Sequence, residues 1–129
     1  MQKNPVYVSV MEEIIEYLGN GVQKALCAGV KKEKIIVDPG IGFGKTLEHN
    51  LEILKNLNEL KILGVPILVG SSRKRFIGKI LNVDPDQRLA GTLATCILAA
   101  ANGANIVRVH DVKPVAQALK MSRAILNFK

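Results

Sequence analysis

The chain has 129 residues, 18 Lys plus Arg against 11 Asp plus Glu, a formal charge of +7, and 48% hydrophobic residues. That size fits one compact domain or part of a larger one, and the balance excludes intrinsic disorder. Aromatics at 4% without tryptophan argue against a base-stacking platform, the two cysteines Cys27 and Cys96 against a disulfide scaffold, and the lack of a long apolar run against a membrane span.

No basic start leads into a short apolar stretch, so a secretory signal is not expected, and the chain reads as soluble and cytosolic. Residues 1–8 read as loop, with Pro5 disfavouring helix at Asn4. From about Ser9 to Ala28, Val10, Ile14, Leu18, Val22, Ala25 and Leu26 recur at helical spacing. Ser9 is the expected N-cap, Glu12 completes a capping box, and Gly29 is the stop. Ile35-Ile36-Val37 is a short β-branched run closed by Asp38-Pro39-Gly40, the pattern of a strand buried on both faces in a parallel sheet. A second helix carries Leu47, Leu51, Leu54, Leu57 and Leu60 on one stripe and ends near Gly64. Val65 to Val69 repeats the buried-strand pattern and stops at Gly70-Ser71-Ser72.

Asp84-Pro85-Asp86-Gln87 reads as a helix start with Asp84 as N-cap. That helix runs through Leu89, Leu93, Ile97 and Leu98 to Gly103. Ala104 to Val109 is the third strand, and a last helix covers roughly Val112 to Leu126. The βα alternation predicts a parallel α/β fold. Three strands cannot close a barrel, so the pattern looks like part of a larger unit.

Ligands of parallel α/β folds bind at the carboxyl ends of the strands. The three exits here run Asp38 to Thr46, Gly70 to Arg75, and Arg108 to Asp111. They gather Lys45, Arg73, Lys74, Arg75 and Arg108 against Asp38 and Asp111, which points to an anionic ligand. The first exit fits neither a phosphate P-loop, since Pro39 stands where its first glycine belongs, nor a dinucleotide fingerprint, since Lys45 replaces the third. Its glycines Gly40, Gly42 and Gly44 allow close backbone approach to a ligand, and Lys45 reads as solvated. Asp38, at the end of a buried strand, suits an amino-pyrimidine edge as a bidentate acceptor. Ser72 reads as a helix cap unless it enters the site, and only one of the basic residues after it is expected to point inward. Arg108 and His110 alternate on a strand and so face the same way, a fork-shaped diphosphate grip. His49 is given no role, zinc spacing is lacking, and no Gly-x-Ser-x-Gly elbow supports a hydrolase.

Asp38-Pro39-Gly40-Ile41-Gly42-Phe43-Gly44-Lys45, Ser72-Arg73-Lys74 and Arg108-Val109-His110-Asp111-Val112, in this order at successive strand exits, resemble the carboxy-terminal signatures of bacterial dihydropteroate synthases. The resemblance covers essentially the whole chain, including Met1-Gln2 and Leu81-Asn82-Val83. It implies the carboxy-terminal part of a (β/α)8 TIM barrel, about three βα units plus a preceding helix, with residues 1–129 as a single pterin-binding domain fragment. The reaction it implies condenses 6-hydroxymethyl-7,8-dihydropterin pyrophosphate with p-aminobenzoate, releasing diphosphate in folate synthesis, with sulfonamides competing for the aminobenzoate position. Asp38 and Lys74 are then the catalytic residues and hold the pterin. Ser72, Phe43 and Gly42 meet p-aminobenzoate, and Arg108 and His110 bind the diphosphate. A magnesium ion on the diphosphate comes with the resemblance, its protein ligand in an amino-terminal part with no counterpart here.

Two alternatives stand beside the synthase: a pterin-binding module of the folate-dependent methyltransferase type, and a self-associating half-barrel without catalysis. A methyltransferase has no use for a diphosphate grip, which favours the synthase. The expected partners are the two substrates and either a homo-oligomer or the remaining amino-terminal part of the barrel, with no nucleic acid and no membrane. The isolated chain is expected to be inactive.

Overall fold

A computed structural model describes residues 9–129; the loop expected over residues 1–8 and the Met1-Gln2 part of the resemblance lie outside the described residues. Helix α1, Val10–Cys27, begins where Ser9 Oγ accepts from the Met11 and Glu12 N–H groups at 3.1 and 3.4 Å, as the cap pattern requires. Helix α2, Leu47–Lys55, is capped by the Thr46 hydroxyl, 3.1 Å from the His49 N–H. It stops earlier than its leucine stripe suggests. Asn56 leaves helical geometry, and Leu57–Leu63 continues as a tighter 3-10 helix that buries Leu57 and Leu60 and ends at Gly64. Leu51, expected on the stripe, is exposed, while Asn50 is buried in its stead.

Strand β1, Leu68–Val69, pairs in parallel with β2, Ile106–Val107, in the register Leu68 to Ile106. Val37 makes an isolated parallel bridge to Ile67 on the other side. The three expected strands therefore lie side by side in sequence order, but the second and third are cut to two residues each and the first to one bridge. Their burial also differs from the expectation of cover on both faces. Ile35, Val37, Val65, Ile67 and Val69 are buried against α1, α2 and the 3-10 segment, whereas Ile36 is 52% and Ile106 37% exposed. Side chains alternate across a strand. Ile36, Leu68 and Ile106 share the open face, and Asp38, Gly70 and Arg108 follow on that face two residues later. The open face leads up to the candidate site.

Helix α3, Arg75–Leu81, was not expected as an element of its own; at seven residues it is too short for a periodic signal, and its start is hidden in the basic run. The residue at its N-cap position is Lys74, so Ser72 is not a helix cap. Helix α4, Leu89–Ala101, starts later than predicted: Pro85–Gln87 is a 3-10 turn in which Gln87 N–H bonds the Asp84 carbonyl, and the Asp84 side chain caps nothing. Its buried face is Thr92, Cys96 and Ala99 rather than the expected leucines, and Leu98 is exposed. The second strand exit lies against this face: the Thr92 hydroxyl accepts from the Arg73 N–H, and the Thr95 hydroxyl meets that of Ser71. Helix α5, Val112–Leu126, has the predicted bounds and buries Val115.

Candidate functional site

The second and third exits are stitched together residue by residue. Ser72 is buried, and its Oγ lies 2.8 Å from His110 Nδ1 and accepts from the His110 backbone N–H at 3.1 Å. The next pair, Arg73 and Asp111, forms a two-bond fork, Nη2 to Oδ1 at 2.9 Å and Nε to Oδ2 at 3.2 Å. Because Ser72 Oγ already accepts from a backbone N–H, its own hydrogen needs an acceptor, and Nδ1 is the one the described residues offer. The network thus assigns the ring proton to Nε2, leaving an N–H donor on the far side of the ring. Arg108 lies across Gly70, where a Cβ would stand only 2.8 Å from Nη2; glycine is what lets the guanidinium settle over the strand end. Gly70, Ser72, Lys74, Arg108, Val109 and His110 enclose a cavity of about 250 Å³.

The first exit is a loop held from inside. Buried Asn50 Oδ1 accepts from Gly42 N–H at 2.8 Å, and Asp38 Oδ1 accepts from Gly40 N–H at 2.8 Å. Asp38 is exposed, unlike the buried carboxylate that its strand position suggested, because the face on which it stands is open. Lys45 is not the solvated residue expected. Its Nζ donates to the Gly40 and Phe43 carbonyls at 3.0 and 3.3 Å, closing the loop on itself. Burial lowers the Lys45 pKa, an effect the nearby Asp38 carboxylate partly opposes. At the loop's tip Phe43, 66% exposed, stacks under Lys74 Nζ, 4.2 Å from its ring centroid.

The structure therefore brings Ser72, Lys74, Arg108 and His110 to one cavity and links Phe43 to it through Lys74. Gly42 and Phe43 line an adjoining cavity of about 400 Å³ with Lys45, Asn50, Lys74 and Arg75. Asp38 lies apart, in a cavity of about 540 Å³ between the glycine loop and α1. Asn50, Thr92 and Arg88 were missed by sequence reasoning. Asn50, a polar residue in a leucine-rich helix, carried a weak signal; Thr92 and Arg88 carried none. Three cationic or N–H donors converging on one small cavity suit an anion bearing several oxygens. Among the described residues no group of three or more His, Cys, Asp or Glu side chains could hold a metal ion. Nor is any helix there long and apolar enough to cross a membrane.

A family model described as "Pterin binding enzyme" matches residues 1–110. The chain is 45% identical over its full length to a dihydropteroate synthase of Escherichia coli K12, covering 46% of that protein. It is 51% identical over 126 residues to that of Synechocystis, covering 97% of this chain and 44% of the relative. Among solved structures, a dihydropteroate synthase from Xanthomonas albilineans in complex with 7,8-dihydropteroate superposes with a TM-score of 0.93 at 39% identity, over 100% of this chain and 51% of that one. The chain spans about half the length of the curated relatives it matches. The observed parallel strands and helices are a partial α/β barrel, as the resemblance implied.

Proposed function

The chain belongs to the pterin-binding enzyme family, and from that premise we propose that it is part of a dihydropteroate synthase and carries the diphosphate and aminobenzoate side of its site. One observation carries the reading: Arg108, His110, Ser72 and Lys74 line a single cavity at the strand exits. Arg108 offers two donors from its fork and His110 one from Nε2, so together they hold the diphosphate of the pterin ester. In the reaction the bond from the pterin methylene carbon to the diphosphate oxygen breaks, and its electron pair leaves with the diphosphate. The aminobenzoate nitrogen then bonds to that carbon and loses a proton. Charge builds on the leaving oxygens, where fixed donors stabilise it without reorganising.

Lys74 stands between this grip and Phe43, placed to contact the pterin and the aminobenzoate ring together. Phe43 and Gly42 supply the aromatic and backbone wall for that ring. Ser72 meets the aminobenzoate carboxylate through its backbone N–H, its hydroxyl staying on His110 Nδ1. Asp38 holds the amino-pyrimidine edge with the oxygen that Gly40 does not occupy. Magnesium on the diphosphate finds no fitting donors here, since the groups around the cavity are cationic or N–H donors. The open strand face supports a partner that completes the barrel, the part of the relatives' length that this chain does not span.

Calorimetric titration of the chain and of Arg108→Ala with diphosphate, hydroxymethyldihydropterin and its diphosphate ester tests the reading. Arg108→Ala should weaken both phosphorylated ligands at least about tenfold, the worth of one charge-assisted contact, and leave the bare pterin unchanged. Equal losses for all three, or no diphosphate binding by the wild-type chain, would remove the assignment. The chain alone should form no dihydropteroate.

A further inference from the structure

Arg73 has φ +57°, one of two described non-glycine residues in the left-handed region, and it sits between two site residues. A side chain there costs conformational energy and persists only where neighbours over-determine the backbone. Here both peptide groups of Arg73 are held from outside the site. Its N–H donates to Thr92 Oγ1 at 3.0 Å, and Thr92 is fully buried on α4. Its carbonyl accepts from Arg88 Nη1 at 2.9 Å. The neighbouring Ser71 hydroxyl is 2.7 Å from Thr95 Oγ1, one turn further along the same helix. The Arg73–Asp111 ion pair is much more exposed, 42% and 27% at its two side chains, and such pairs contribute little.

We propose that Thr92 and Arg88 are positioning residues of the candidate site: by binding the N–H and the carbonyl of Arg73 they fix its left-handed backbone, which turns Ser72 onto His110 and Lys74 onto Phe43. A left-handed residue reverses the local path of the chain, so the side chains before and after it reach different walls. Without it Ser72 leaves Nδ1, the His110 ring loses its fixed tautomer, and Nε2 is no longer a constant donor to an anion. What Ser72 and Lys74 contact in a ligand rests on the synthase reading. The backbone clamp does not, and it is measured on the chain itself.

The test reads the His110 ring nitrogens by long-range proton–nitrogen NMR at one fixed pH above the histidine range, in wild type, Thr92→Val, Thr92→Ser, Arg88→Met and Arg73→Gly. Wild type should show a single tautomer with the proton on Nε2. Thr92→Val and Arg88→Met should lose it, giving averaged ring nitrogens, as should Ser72→Ala. Thr92→Ser, which keeps the hydroxyl, should restore it, and Arg73→Gly should retain it, because glycine adopts the same φ while losing only the ion pair. A wild-type ring already averaged, or Thr92→Val and Arg88→Met folded with the tautomer intact, overturns the proposal. So does loss in Arg73→Gly alone, which would assign the clamp to Asp111. Failure of diphosphate binding with the tautomer pattern as expected would overturn the synthase reading and leave the clamp standing.

Discussion

Gly78→Ala in α3 should destabilise the chain, although alanine is the better helix former. The Arg88 side chain passes directly over Gly78, so a Cβ there would fall 2.3 to 2.5 Å from its Nη2, Cζ and Nε atoms. The guanidinium is the far end of a flexible side chain and can swing away, but in doing so it gives up its 2.9 Å bond to the Arg73 carbonyl. The contacts to the Val83 carbonyl, at 3.4 and 3.5 Å, are long and add little. A bond from a charged donor contributes about 1.5–3 kcal/mol; half-exposed Arg88 belongs at the lower end, about 1.5 kcal/mol. Alanine returns about 0.5–1 kcal/mol over glycine in a helix. The net is a loss of about 0.5–1 kcal/mol, a few tenths of a molar in the urea midpoint. In an Arg88→Ala background the three atoms nearest a Cβ at position 78 are gone, and the same substitution should stabilise by about 0.5–1 kcal/mol. Urea unfolding of the four members of this double-mutant cycle measures the change of sign. Gly78→Ala acting with the same sign and size in both backgrounds would refute the contact and its weight.

Lys45 predicts a pH dependence. Its folded pKa lies below its unfolded one, so between the two the unfolded chain binds more protons, and the stability that Lys45 contributes rises with pH. Wild type should therefore gain stability relative to Lys45→Met as pH climbs through the window from that lowered value to the ordinary lysine value; a gap that narrows there would contradict it. The two cysteines should differ sharply toward a thiol reagent at mildly alkaline pH. Cys27 is exposed and reacts at once, whereas burial pushes the Cys96 thiol up and covers it, so it reacts only as the chain unfolds. Two thiols titrating together in the native chain would show that the α4 face is not packed as described.

Much of the local structure was legible in the residues, and the reasons are local. The Ser9 cap and the period of α1 act within a few residues, as do the bounds of α5, and each appears as read. Arg108 and His110 share a cavity because alternation along an extended segment needs no knowledge of the rest of the fold. The misreadings fall where a particular partner, in the same loop or far along the chain, took a group that the local pattern left open. Lys45 turned inward because two carbonyls of its own loop were available once the glycines folded it. Thr92 and Cys96 take the buried face of α4 in place of its leucines because the second exit lies against that face and offers the Arg73 N–H to a hydroxyl.

By itself, then, the sequence determined the order of the strands and of every longer helix, the parallel α/β class and which strand ends carry charge, since periodicity, caps and turn residues are short-range properties; the short α3 escaped it. Only the tertiary structure decided which face of each apolar strand is covered, and that Ser72 belongs to His110 rather than to a helix end. It alone showed that Arg73 is held left-handed by Thr92 and Arg88. Those are matters of which side chains from 15 or more positions away arrive at the same point, and no local pattern of apolar and polar residues encodes that distance.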